Sequence, residues 1–545
     1  MDRLSEESRT ALKLASVIGQ TFRIPLLNAI YPSKKNKKDF IEMMNELKEK
    51  KFIFPGLKNN TYFFRHALIR DATYDCLSSA SKIKIHGQIA NWIEANESGL
   101  IKERYEILAN HFSCSDDRQK AIKYLILSGK KVRDSFANQQ AVEFFSRALK
   151  IFEELYQKKI GNIASEMCDV YMNRGMVYRL MGLYDRAIFD FKKMNLLASK
   201  MFDKNRRVLA LNYIGSSFRW KGNQKKALVY CSRALKLALS LRNKKLIAVC
   251  YNSITVVHWY LGNYRQAIYC GKKSLALRRQ SGKLREISRG LFSLGNSYTK
   301  ICDFNSAKKC FNELMNSSLK SGDKIGTAYA YDGLGYCEFK HGRINQALRY
   351  YEKGFTIRMQ TGDMRGIVYS YISMGDVKFE CGSFKEALEY YRKALEIVGK
   401  IEDENLMSDV LRSIGLCAMK FGNYQEAIKK LNESLLIGKK ISFSESLIKT
   451  YCAFSELMLN MKRFDKAKKY LDLFYRLARK SKMLDFKAKA LMLSGLINIR
   501  IREKAYALKQ IQKAFKNAVL SGDSILQARI LTEQRNCFSE FLRKK

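Results

Sequence analysis

Five histidines are the most versatile proton-transfer and metal-binding groups of the 545-residue chain, at positions 66, 86, 111, 258 and 341. Metal-dependent hydrolysis asks for two imidazoles one helical turn apart with a carboxylate beside them, and no two of these lie at i, i+4. Thirteen cysteines run from Cys76 to Cys537 without a C-x-x-C pair, so no zinc ribbon, finger or dithiol motif can be assembled by spacing. Several (Cys231, Cys270, Cys310) fall on helix faces that read as buried, where a free thiol acts as a small apolar filler. Such usage implies a reducing compartment. No G-x-S-x-G elbow or kinase signature occurs. A phosphate cradle needs G-x-x-x-x-G-K-[ST]; Gly271-Lys272-Lys273-Ser274 has Gln266 where the first glycine belongs. The sequence therefore predicts a non-enzymatic protein with no catalytic residue, no metal site and no cofactor.

What remains to explain is a helical framework and its charge. Apolar residues make up 47% of the chain and charged ones 28%, enough to build a large core. The three prolines (Pro25, Pro32, Pro55) all lie in the first tenth, so everything after them can be helix without a forced kink. Against 52 Asp and Glu stand 99 Lys and Arg, a net charge of +47 that favours polyanionic or acidic partner surfaces. These cations are spread along the chain, which weakens the case for a dedicated nucleic-acid arm. No signal-like N-terminus and no apolar run approaching 18 residues is present, so a cytoplasmic location without a membrane span is expected.

Internal repetition sets the architecture. Alanine recurs at 187, 227, 267, 307, 347, 387, 427, 467 and 507, an interval of 40 residues. Twelve residues before each stands a small residue: Gly175, Gly215, Thr255, Gly295, Gly335, Gly375, Gly415, Ser455 and Gly495. A glycine five before the alanine (Gly182, Gly222, Gly262, Gly342, Gly382, Gly422) ends the first helix of each unit in the left-handed conformation. An aromatic three before it (Tyr184, Tyr264, Phe304, Phe384, Tyr424, Phe464) opens the second. Upstream, Ala109, Phe112, Ala121, Ile122 and Tyr124 read as one degenerate helix pair. Phe136, Ala141, Val142, Phe145, Ala148 and Leu149 lie on another, and the lattice is regular only after Gly161.

This small–Gly–aromatic–Ala pattern resembles the tetratricopeptide repeat in a long 40-residue form. The resemblance implies an all-α chain: a right-handed superhelix over 161–523 in about nine units, after an arm at 79–160, with a capping helix at 524–545. Residues 1–78 depart from the pattern. Three helices (from Ser5, at Ile24–Ile30 and at Lys38–Lys50) precede a hairpin of Phe52-Ile53-Phe54 and Tyr62-Phe63-Phe64 around Pro55-Gly56 and Asn59-Asn60, which reads as a winged helix. The phrases LASVIGQTFRIPLL, LKEKKFIF and YFFRHALIRDATYDCL resemble the winged helix and arm of signalling ATPases of the STAND class, joined in bacteria to class III adenylyl cyclases or to serine/threonine kinases. In that family an ATPase domain precedes these elements; here the chain begins where it would end. The resemblance implies that His66 meets a nucleotide phosphate only if an ATPase domain is supplied in trans. Taken alone, His66 is a capped, hydrogen-bonded histidine at a helix start.

In a tetratricopeptide superhelix the first helices line a concave groove. The inward positions are Arg179, Asn212, Arg219, Trp220, Asn252, Trp259, Tyr260, Asn296, Lys300, Tyr336, Lys340, Phe379 and Lys420. Asparagine amides there can hold the backbone of an extended peptide, Lys and Arg favour acidic side chains, and Trp220, Trp259 and Tyr260 offer an aromatic anchor. The predicted function is an interaction scaffold that takes an acidic or extended protein segment in signalling or regulation. A second reading is the sensor arm of a split STAND ATPase. A third, nucleic-acid binding through the winged helix and basic surface, is opposed by Asp39, Glu42, Glu46 and Glu49 on the third helix.

Overall fold

The computed structural model describes residues 4–33, 36–57, 60–135, 137–157, 163–401, 403–440, 444–481, 484–500 and 504–542. It divides into two compact units, Met1–Arg206 and Arg207–Lys545.

The first unit opens with α1 (Glu6–Ile18), β1 (Thr21–Arg23), α2 (Ile24–Ile30), α3 (Lys37–Glu49), β2 (Ile53–Pro55), β3 (Thr61–Phe64) and α4 (Ala67–Asp75). The three strands pair antiparallel in the order β1-β3-β2. The sequence anticipated the hairpin but not β1, whose three residues between Gly19 and Pro25 are too few to show a period of two. Asn59 of the anticipated turn lies outside the described residues. Phe22, Ile53 and Phe64 from the three strands are buried with Leu12, Leu27 and Leu47 from the helices, which fastens sheet to helices.

Then follow α5 (Ser79–Asn96), α6 (Ile101–Ser113), α7 (Arg118–Asp134), α8 (Asn138–Gln157), α9 (Ala164–Leu180) and α10 (Tyr184–Lys200). The sequence grouped α6 with α7 and set α8 apart. Those two helices do pack, yet α7 also meets α8 as the later pairs meet, with the ring of Phe145 at the open Cβ side of Gly129. Ala141 between them is fully buried. Phe136 and Gly161 lie outside the described residues.

The second unit continues the pairs: α11 (Lys204–Trp220) with α12 (Gln224–Ser240), α13 (Lys244–Tyr260) with α14 (Tyr264–Ser281), and α15 (Leu284–Lys300) with α16 (Phe304–Ser321). Next come α17 (Lys324–Lys340) with α18 (Ile344–Thr361), α19 (Met364–Glu380) with α20 (Phe384–Ile401), and α21 (Glu404–Lys420) with α22 (Tyr424–Lys440). The last are α23 (Ser444–Asn460) with α24 (Phe464–Ser481), α25 (Leu484–Arg500) with α26 (Lys504–Ser521), and a single α27 (Ser524–Leu542).

All nine lattice alanines are fully buried. The small residue twelve positions earlier faces the side chain four positions after the alanine. A Cβ built on Gly175, Gly295, Gly335 or Gly375 would stand 2.6–2.8 Å from the ring of Phe191, Phe311, Tyr351 or Tyr391, closer than packed carbon atoms approach. Where the lattice puts Thr255 in place of glycine, its partner position is itself a glycine, Gly271, and the bulk has changed sides. Among the described residues, the turns after the first helices run through a positive φ, for instance 83° at Gly222. Two units reach it without glycine, at Cys302 (63°) and Lys462 (58°).

Candidate functional site

In the second unit, first helices touch the first helices of neighbouring units (α13 with α15, α15 with α17, α21 with α23), whereas the extensive contacts of second helices are with the helices next to them in the chain. The side of the stack on which units crowd together is therefore built by first helices. Groove residues predicted on those helices fall into three groups.

In the first group the Arg219 guanidinium lies 4.3 Å from the Trp220 ring centre and 5.3 Å from that of Tyr260. Tyr260 is edge-on to Trp259 at 5.0 Å, and the Trp259 indole N–H donates to the Asn296 carbonyl at 3.3 Å. Lys300 Nζ stands 4.9 Å over Trp259. The second group is Tyr336 with Lys340, Nζ 5.8 Å from the ring centre. The third is Phe379, edge-on to Phe384 at 5.2 Å, with Lys420 Nζ 5.7 Å from that same Phe384. Asn212 is buried, its side-chain oxygen without a protein partner, and Asn252 is half-buried. Arg179 belongs to the first unit. His66 precedes α4 at an exposed position and its side chain makes no capping hydrogen bond, so only the positional part of its sequence reading describes it.

The groove lysines do not face an empty channel. Lys300, last residue of α15, donates to both carboxylate oxygens of Glu445 at 2.8 and 2.9 Å; Glu445 lies in the first turn of α23, four units further on. Lys340, last residue of α17, donates at 2.6 Å to Asp523, the residue before α27. Arg365, near the start of α19, lies 5.3 Å from the ring of Trp220, four units back. An offset of 145 residues separates Trp220 from Arg365 and Lys300 from Glu445, and the same offset sets Asp485 in the field of Lys340. Four units thus bring the wall of this unit back upon itself. Trp259 and Tyr264 pack into the same core as Met419, Phe454 and Leu457, which closes the apolar part of that seam.

The electrostatics follow from this geometry. Burial alone would push the Glu445 carboxyl up, but Lys300 and Lys449, the latter at 2.9 Å, hold it well below the usual carboxylate range. Asp523 is held low in the same way by Lys340 and by the Leu526 N–H that it caps at 3.1 Å. The Lys340 ammonium is raised despite burial, by Tyr336, Asp523 and Asp485.

The sequence reading missed these acids because Glu445 and Asp523 sit at helix starts. There a carboxylate is already explained by capping and by the helix dipole. It also missed a plain compositional signal: from Arg207 to Arg285 the chain has no Asp or Glu at all. Among the described residues no group of three or more His, Cys, Asp or Glu is gathered as metal ligands, and no helix is long and apolar enough to cross a membrane.

Comparison with known proteins places this geometry among helical repeats. Tetratricopeptide-repeat models match residues 169–199, 206–280 and 368–397. The peroxide stress-activated histidine kinase mak3 of Schizosaccharomyces pombe (strain 972 / ATCC 24843) is 21% identical over 233 residues, 41% of this chain and 10% of the kinase. The match therefore spans a small part of that relative. Among solved structures, a Rap protein complexed with competence and sporulation factor is 13% identical over 66% of this chain and 98% of its own, with a TM-score of 0.49. The quorum sensor NprR from B. thuringiensis in its apo form is 18% identical over 61% of this chain and 93% of its own, with a TM-score of 0.44. A signal transduction ATPase with numerous domains and a tetratricopeptide repeat sensor, from Pyrococcus horikoshii, is 16% identical over 86% of this chain and 66% of its own, with a TM-score of 0.41. The segments 169–199, 206–280 and 368–397 of this chain are tetratricopeptide repeats.

Proposed function

We propose that this chain is an interaction scaffold whose first-helix wall receives an extended, acidic segment of a partner protein. The observation that carries the reading is the pairing of wall lysines with carboxylates of the chain itself, Lys300 with Glu445 and Lys340 with Asp523. Cations that already hold carboxylates in this geometry would hold a partner's by the same charge-assisted bonds, and an acidic segment enters by competing with the internal acids. The Tyr336 ring beside Lys340 and the Tyr369 ring of α19 beside Arg365, 36% and 42% exposed, supply apolar contact. The test is photo-crosslinking of the full chain carrying p-benzoylphenylalanine at Tyr336 or Tyr369, against Tyr475 on α24 as control. Adducts to Asp- and Glu-rich segments from the two wall positions only are expected. Equal adducts from Tyr475, or adducts without acidic segments, overturn the reading.

A second reading concerns residues 1–78, which we propose to be a winged helix, with the arm at 79–160 and a right-handed superhelix at 161–523 capped by 524–545. The order helix, strand, helix, helix, hairpin with a three-stranded sheet favours it. On this reading the chain is the sensor arm of a STAND-type signalling assembly, located in the cytoplasm. Co-expression with a P-loop ATPase domain tests it: a stable complex lost on His66→Ala supports docking in trans, and no complex removes it.

A further inference from the structure

Residues 207–285 hold 17 Lys and Arg and not one Asp or Glu, while the other 466 residues carry all 52 carboxylates, one in about nine. General enrichment in lysine does not empty a stretch of acids, because the same chain places Glu313, Glu386 and Glu389 on later second helices. The stretch builds α11 to α14, the two consecutive pairs from 204 to 281, all but the first three residues within the second unit.

Nine of its 17 cations lie on the second helices α12 and α14. Lys225, Lys226 and Arg233 on α12 and Lys272 and Lys273 on α14 are exposed. Among the described residues none of these five is in an ion pair. Rings accompany them: Lys226 Nζ is 5.6 Å from the centre of Phe218, the Arg233 guanidinium 5.7 Å from Tyr230, and Lys273 Nζ 5.7 Å from Tyr269, which is 56% exposed.

We propose that the outer face of α12 and α14 binds a single-stranded phosphodiester polymer, RNA or DNA. A protein partner, even an acidic one, brings cations that need carboxylates opposite them; α12 and α14 have none of their own, and Glu313 of α16 at their border is already held by Arg279. A phosphate backbone carries one sign only, and its bases present flat faces to rings such as Tyr269. The site lies on the other side of the helix pairs from the wall discussed above, so each stands or falls alone.

Fluorescence anisotropy of the full chain tests it with a labelled 20-nucleotide oligo-U, the matching oligo-dT, a 20-base-pair duplex, a 20-residue polyglutamate and phosphatidylserine vesicles, at 50 to 300 mM salt. The two single strands are expected to bind best, and their ratio identifies the natural sugar. Replacing Lys225, Lys226, Arg233, Lys272 and Lys273 by Gln should weaken single-strand binding at least 10-fold and flatten the log–log salt slope by about 3. Tyr269→Ala should cost about 5-fold or more through lost stacking. All six positions are exposed, and an unchanged circular dichroism melt confirms folding. The control set Lys385, Arg392, Lys393, Lys400 and Lys429→Gln on α20 and α22 removes equal charge elsewhere. An equal loss in that control, no loss in the first set, or tighter binding of polyglutamate or vesicles overturns the proposal.

Discussion

His86 and His111 meet Nδ1 to Nδ1 at 2.8 Å, with the Tyr74 hydroxyl 3.1 Å from His86 Nε2. One Nδ1 must donate and the other accept, so the contact requires at least one neutral ring. Burial, then the neighbouring ring, lowers His111 to about 4; burial, then Lys82 on its own helix, lowers His86. Lys82 also stands 4.2 Å over the Tyr74 ring and pairs with Asp75 at 3.5 Å. A lowered histidine gives stability that is complete above the unfolded value of about 6.5 and lost as pH falls toward 4, here about 3 kcal/mol. Thermal unfolding at pH 7, 5.5 and 4.5 should show that loss in the first transition, and His111→Gln should reduce its pH dependence. Neither histidine was singled out by spacing, since 25 residues separate them and only the packing of α5 on α6 brings them together.

Helix pairs depend on two devices that the 40-residue lattice displays openly. Close approach is set by the small residue and its partner sixteen positions on, and the exchange of bulk between Thr255 and Gly271 shows that the pair, not either residue, is the unit. Chain reversal is set by the positive φ between helices. Lys462 adopts 58° there with a side chain whose Cβ crowds the backbone. Lys462→Gly should therefore raise stability by about 0.5–1 kcal/mol in urea unfolding, against the usual sign for glycine beside a helix. A decrease would mean that the lysine side chain contributes more than its backbone strain costs.

At the scale of the second unit, the seam between units four apart decides how open the wall is. Glu445 is held low by Lys300 and Lys449, so its contribution is present above the unfolded carboxylate pKa of about 4.3 and lost as pH falls through its lower folded value. Breaking one side of a pair this well buried leaves the other ion uncompensated. A double-mutant cycle with Lys300→Met and Glu445→Gln should give a coupling of about 1–3 kcal/mol at pH 7 that declines as pH falls below about 4.3. Additive effects would show that the two ends of the wall are not coupled in solution.

The amino-acid sequence determined the helix pairs by itself, because a 40-residue recurrence of Ala, Gly and an aromatic leaves one way to bury the same face nine times. It also held the acid-free stretch 207–285 in plain view, although periodicity draws attention to apolar residues and away from missing carboxylates. Only the tertiary structure decided the state of the wall. The pitch of the stack is a small rotation per unit, summed over four units. No local pattern encodes that sum, and it is the sum that carries Lys300 to Glu445 and Lys340 to Asp523.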